Sequence, residues 1–238
     1  MTSTTLNLVA RQRPKQIAPT WHTALFACFF VALAIAGAVF QSHAKAHPRD
    51  LEQHRHMVPV YLSIIAMEAG LFFYVKGGLD RYKVPIQDVI RGDFSSAKSI
   101  LREVGIGLGA WLVWLAISSM WNKFLGADPS ISIYALPRRP LDVLLVIAVS
   151  ISAGISEEFA FRGYLQRQFG ALTGSRWLGL VLQAVVFGIA HAYEGTRAAM
   201  QIVLFGLLFG FVAFWRKSLC AGMIGHAWAD IMSGLFGI

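Results

Sequence analysis

Residues 141–168 read LDVLLVIAVSISAGISEEFAFRGYLQRQ. Between Val143 and Ser156 there is no charge at all, and then Glu157, Glu158 and Arg162 arrive inside the same apolar run. The run exceeds the roughly 20 residues that cross a bilayer core of about 30 Å. It is also too long for one straight crossing, so the helix either tilts or emerges past the surface. Moving outward, six further apolar stretches have spanning character: Trp21–Gln41, Val58–Lys76, Ile100–Trp121, Trp177–Tyr193, Ala198–Trp215 and Leu219–Ile238. The segment around Val84–Ser99 mixes Val84, Ile86, Val89, Ile90 and Phe94 with Lys83, Asp88, Arg91 and Asp93, and reads as an interfacial amphipathic stretch. The expected fold is all-α: a transmembrane bundle of about seven to eight helices. A basic tail covers 1–20, N-terminal spans and the interfacial loop cover 21–140, and 141–238 complete one membrane domain over 21–238.

Composition agrees. Of 238 residues, 56% are hydrophobic and 14% charged, against about 25% charged in a typical soluble domain. The mean hydropathy is +0.56. Disorder is excluded, because it requires low hydrophobicity. Two cysteines, Cys28 and Cys220, exclude a disulfide scaffold. The net charge of +8 therefore describes sidedness, and no nucleic-acid partner is implied. With the N-terminus inside, the inner face collects Arg11, Arg13 and Lys15, the run from Lys76 to Arg102, then Arg162, Arg167 and Arg176, and finally Arg216 and Lys217. The outer face collects half as many, among them Lys45, Arg49 and Arg139. The excess favours an N-inside orientation. A cleaved signal peptide is the competing reading of the first span, with Ala44-Lys45-Ala46 as its cleavage site, but the apolar region of Ala24–Phe40 is longer than such peptides carry.

An ionisable side chain within a span costs about 2.5 kcal/mol or more, which makes each one a functional candidate. The fourth span carries Glu157, Glu158 and Arg162, the fifth His191, and the seventh His226 and Asp230. Glu158 and Arg162 are four residues apart and share a helix face, as do His226 and Asp230. Glu157 lies about 100° round from Glu158 and is left without the arginine. Turned inward, the groups form a polar site inside the membrane. A Glu–His couple there can take a proton from water, and the second His–acid pair can face the oxyanion that forms on a carbonyl. This is a hydrolase plan without a serine or cysteine nucleophile. Glu157, His191, His226 and Asp230 could instead ligate zinc, although the His-Glu-x-x-His spacing of many zinc proteases is absent.

At these residues the chain resembles the CPBP family of CAAX-protease and bacteriocin-processing membrane proteins. The resemblance rests on Glu157-Glu158-x-x-x-Arg162-Gly163-Tyr164-Leu165, Phe187-x-x-x-His191 and His226-x-x-x-Asp230, and covers roughly 141–238. It implies an intramembrane endopeptidase acting on membrane-associated or lipidated, CAAX-like substrates. Glu157 and His191 would activate water, His226 with residue 230 would form the oxyanion site, and Glu158 and Arg162 would support them. No cofactor is favoured, with zinc as the alternative. In the prenyl-protein proteases of the family position 230 is typically Asn. An ionised Asp cannot donate a hydrogen bond, so Asp230 is either protonated, an orienting partner of His226, or a metal ligand. The expected location is an integral multi-pass membrane protein, in the plasma membrane if the chain is prokaryotic.

Two readings from other classes compete: a proton-coupled transporter, since membrane acids and histidines also relay protons, and a non-catalytic protein that sequesters a membrane peptide or confers immunity. Neither accounts for the three-motif spacing. Glu68, alone in the second span, reads as structural or paired across the bundle. The cluster His43, His47, His54 and His56 reads as a solvated outer loop. The glycines Gly105, Gly107, Gly109, Gly206 and Gly210 read as close helix packing. The tryptophans at 21, 111, 114, 121, 177 and 215 read as membrane-interface and packing residues.

Overall fold

The computed structural model describes residues 14–46, 57–126, 137 and 139–237. The basic residues Arg11 and Arg13, His47, His54 and His56, and the outer-face residues Arg49, Arg55 and Arg138 lie outside them. Among the described residues the regular structure is entirely helical. The helices are α1 (Thr20–Ala46), α2 (Met57–Arg81), α3 (Ile86–Ile90), α4 (Ala97–Leu125), α5 (Pro140–Glu157), α6 (Gln166–Thr173), α7 (Arg176–Ala190), α8 (Thr196–Arg216) and α9 (Cys220–Phe236). Between α5 and α6, Glu158–Leu165 forms a π-helical segment, so that Pro140–Thr173 is one continuous helical rod of 34 residues. A short 3₁₀ turn, Ala192–Glu194, joins α7 to α8.

Among the described residues five helices are long and apolar enough to cross a membrane: Thr20–Val39, Met57–Arg81, Ala97–Leu125, Pro140–Thr173 and Thr196–Arg216. The expectation of seven full-length spans is corrected at the fifth and seventh. There α7 has 15 residues and α9 has 17, about 22 and 25 Å at 1.5 Å per residue. α7 stops at His191, where the backbone leaves helical geometry, and Gly195 takes φ 115°. The lipid-facing helices leave Phe73, Val39, Leu101 and Leu112 largely bare. A soluble protein could not tolerate apolar patches of this extent, whereas lipid covers them. The chain is an integral membrane protein with an all-α bundle fold.

The long rod is the axis of the bundle. From Glu158 to Leu165 every side chain is buried. The rod packs between α2 and α9, α7 lies between α1 and α8, and α4 covers α9. Small residues set these distances. A Cβ on Gly107 would lie 2.6 Å from the Ala221 carbonyl, and one on Gly225 would lie 2.5 Å from the Gly107 carbonyl, so α4 and α9 meet backbone to backbone. Gly206 touches Ala184 in the same manner, and Gly210 faces Gln183 and Gln166. Gly105 and Gly109 have nothing within 4 Å and pack against no helix. Trp114 lies edge-on to the buried Phe205, and Trp111 edge-on to Trp228, which is exposed, as are Trp21, Trp177 and Trp215.

The interfacial stretch does not add a crossing. α3 is a single short helix wedged against the rod, with Val89 fully buried and in contact distance of Gly163. Arg167 donates to the carbonyls of Asp88 and Val89 at 2.9 and 2.8 Å, and the Leu219 amide donates to the Ile90 carbonyl. The start of α1 is tied to the same rod. Gln168 accepts from the Ile17 amide and donates to the Ala18 carbonyl and Thr23 Oγ1, while the Tyr164 hydroxyl contacts His22 Nδ1 at 2.8 Å and Thr23 Oγ1 at 2.9 Å. The connections assigned to the inner face thus converge at one end of the bundle.

Candidate active site

The π segment begins one residue after Glu157. In a π-helix each turn closes through a five-residue hydrogen bond, which widens the helix, and such segments concentrate at functional sites. Here it puts two successive acids on different walls. Glu158 points to the rod's buried side and meets Arg162 at 3.1 Å, with both side chains fully buried. The pairing expected at four-residue spacing is therefore present, although the local helix is not an α-helix. Gly222 on α9 makes room for it: a Cβ there would lie 2.7 Å from Glu158 Oε2.

Arg162 also explains why a phenylalanine stands four residues before His191. Its guanidinium lies 4.2 Å from the Phe187 ring centroid and 5.7 Å from that of Phe205, so the charge is capped by aromatic faces. The Phe187 carbonyl accepts a hydrogen bond from His191 Nδ1 at 2.8 Å. A carbonyl can only accept, so the proton is on Nδ1 and the lone pair of the neutral ring is on Nε2. One residue thus covers the buried arginine and sets the tautomer of the histidine at the end of α7.

His226 is buried and joined to both acids of the rod. Its Nδ1 is 3.1 Å from Glu158 Oε1. Its Nε2 lies 3.5 Å from Glu157 Oε2 and 3.6 Å from Asp230 Oδ2, separations of electrostatic neighbours rather than direct hydrogen bonds. Phe205 packs edge-on against the ring at 4.8 Å. Asp230 is the most accessible of the group, with its side chain 39% exposed, while that of Glu157 is 13% exposed.

Glu157 and His191 are on the walls of one cavity of about 410 Å³. Its other walls are almost wholly apolar and come from α1 and α2, including Leu25, Phe26, Phe29, Phe30, Met67 and Leu71. Glu68 of α2, which is 2% exposed, also lines this space, and its Oε2 has no hydrogen-bond partner among the described residues. Glu68 stands at seven-residue intervals from Tyr61 and Val75 on the narrow buried seam of α2. It faces inward, toward the cavity that Glu157 of α5 also lines.

The structure thus brings Glu157, Glu158, Arg162, His226 and Asp230 into one connected cluster, and sets His191 on the cavity wall that Glu157 also lines. Among the described residues no group of three or more His, Cys, Asp or Glu side chains is disposed to hold a metal ion, and the mechanism proposed below uses none.

A family model described as type II CAAX prenyl endopeptidase Rce1-like matches residues 139–232. The match runs from the residue preceding α5 into the end of α9. It contains Glu157, Glu158, Arg162, His191, His226 and Asp230, and leaves out α1, α2 and Glu68. No curated protein and no solved structure is found to match the chain.

Proposed function

Because the Rce1-like type II CAAX prenyl endopeptidase model matches residues 139–232, we propose that the chain is an intramembrane endopeptidase that cuts lipidated or membrane-associated peptides with water activated by Glu157 and His191. The observation that carries the reading is the cavity. It is walled by aromatic and aliphatic side chains of α1 and α2, and Glu157 and His191 are among its few polar lining groups. An apolar recess that ends on a carboxylate and an imidazole suits a substrate with a lipid group beside its scissile bond.

In the proposed mechanism a water molecule sits between Glu157 and His191 Nε2. As the water oxygen bonds to the carbonyl carbon, its proton passes to Glu157, and the carbonyl π electrons move onto oxygen. His226 faces the site with Nε2, because Nδ1 is held by the Glu158 carboxylate, and its protonated ring donates to the oxyanion. The intermediate then collapses, the C–N bond breaks, and the leaving nitrogen takes the proton from Glu157. Asp230 orients the His226 ring: it is four residues along the same helix, 3.6 Å from Nε2 and partly exposed, and it need not donate to the oxyanion itself. Glu158 and Arg162 are positioning residues, acting through His226 and Phe187.

The experiment is a comparison of new peptide termini, mapped by mass spectrometry, in membranes from cells with the wild-type chain and with Glu157→Ala at matched expression. Termini that depend on Glu157 are expected. Termini that persist in full with Glu157→Ala would remove Glu157 as the base, and the absence of any chain-dependent terminus would favour sequestration or transport.

A further inference from the structure

We infer that Glu68 is a positioning residue for Glu157, a carboxylic acid on α2 that hydrogen-bonds the base and holds its carboxylate toward the reacting water. The inference rests on the assignment of Glu157 made above and extends the site to a helix that the family match does not reach.

Three observations support it. First, Glu68 and Glu157 line the same cavity from the packed helices α2 and α5. Carboxylate oxygens only accept, so a hydrogen bond between the two groups requires one proton shared by them. Second, Glu68 faces the cavity and is 2% exposed, and its Oε2 has no hydrogen-bond partner among the described residues. A buried acid so placed is costly in a membrane, and among the described residues no basic side chain forms an ion pair with it. Packing alone would be better served by the leucine, methionine or phenylalanine that α2 carries elsewhere. Third, the acid that the facing α5 presents to this cavity is Glu157, while His191 stands on the wall at the end of α7.

The geometry divides the labour of the Glu157 carboxylate. One oxygen, Oε2, is near His226 Nε2, and the acid proton of Glu68 anchors the group from the α2 side. The carboxylate is then fixed between two helices, with a lone pair left for the water. Without the anchor Glu157 can rotate into the apolar recess, and small misplacements of a reacting group cost up to about a hundredfold in rate.

The test uses the full-length chain in lipid nanodiscs with a farnesylated CAAX-type peptide. Glu68→Gln keeps a donor toward Glu157 and is expected to stay within about threefold of wild-type kcat. Glu68→Leu removes the donor and fills the space. Its kcat is expected to fall about ten- to a hundredfold with KM changed less than about twofold. A second readout does not depend on turnover: a protonated-carboxyl infrared band, sensitive to deuterium, present in the wild type and lost in Glu68→Gln. Full activity of Glu68→Leu, or Gln no better than Leu, overturns the inference, as does an infrared band that survives Glu68→Gln. The two readings fail separately. Inactive Glu157→Gln beside fully active Glu68→Leu removes only the role of Glu68. A wild-type chain that shows the band and cleaves nothing keeps the carboxyl pair and removes the protease.

Discussion

The ion pair between Arg162 and Glu158 lends itself to a quantitative test. Both side chains are fully buried and their closest charged atoms are 3.1 Å apart. At an effective dielectric of about 20, two unit charges at that distance attract by about 5 kcal/mol. Removing one partner leaves the other charge buried and uncompensated, which costs about 3–5 kcal/mol. Replacing both with neutral groups of similar size removes the attraction and the desolvation penalty together. The variants are Arg162→Met, whose thioether stays under the Phe187 ring, Glu158→Gln, which keeps an acceptor for His226, and the double variant. Equilibrium unfolding in mixed micelles should show each single variant destabilised by about 3 kcal/mol or more. The double variant should be no worse than either, which gives a coupling of about 3 kcal/mol. A coupling below about 1 kcal/mol, the level of a solvated surface pair, would refute the claim that these groups form one buried unit. All three variants should also lose cleavage activity, because Glu158 holds His226 through Nδ1.

Four further outcomes are expected. Gly222→Ala places a Cβ 2.7 Å from Glu158 Oε2 and should cost about 1–3 kcal/mol by overpacking along with kcat. Gly109→Ala, with nothing within 4 Å, should leave the same unfolding and cleavage assays at wild-type values. Gly70→Leu projects into open space on the cavity wall; it should raise KM for a lipidated peptide in steady-state assays while leaving stability unchanged. Asp93, outside the spans, is held at about 2 by hydrogen bonds from the Ser95 side chain and amide and from Ser99. Its folded value is below its ordinary 3.8, so the turn it organises is complete above about pH 4 and comes apart as pH falls toward 2, which amide exchange at Ser95 would report.

Hydropathy alone was sufficient to recognise the membrane bundle, because lipid-facing helices need apolar side chains on nearly every face. It overstated the reach of α7 by carrying the span through Tyr193, whereas the backbone leaves the helix at His191. It could not reveal the π segment: Glu158–Leu165 contains good helix formers, and the extra width of the turn leaves no mark on residue periodicity. Three motifs located the acids and histidines of the candidate site, since a charge in a span stands out against its neighbours. Their grouping was less legible. Glu157 was expected beside a histidine; the structure places it near His226, with Glu68 and His191 lining the same cavity. Glu68 was visible as a lone acid, and its seven-residue register with Tyr61 and Val75 carried the signal that it faces inward. The register does not say which residue waits on the facing helix. Glycines behaved likewise: of Gly105, Gly107 and Gly109, only Gly107 meets another backbone, because alternate positions on a helix face different directions.

The central claim is that Glu157 activates water to cut a peptide bond beside the apolar recess. The most direct measurement is mass spectrometry of a farnesylated CAAX-type peptide incubated with the purified chain in proteoliposomes, wild type against Glu157→Gln. The account predicts cleavage of the peptide by the wild type and none by Glu157→Gln, with both proteins equally folded. Release at an undiminished rate by Glu157→Gln would contradict it.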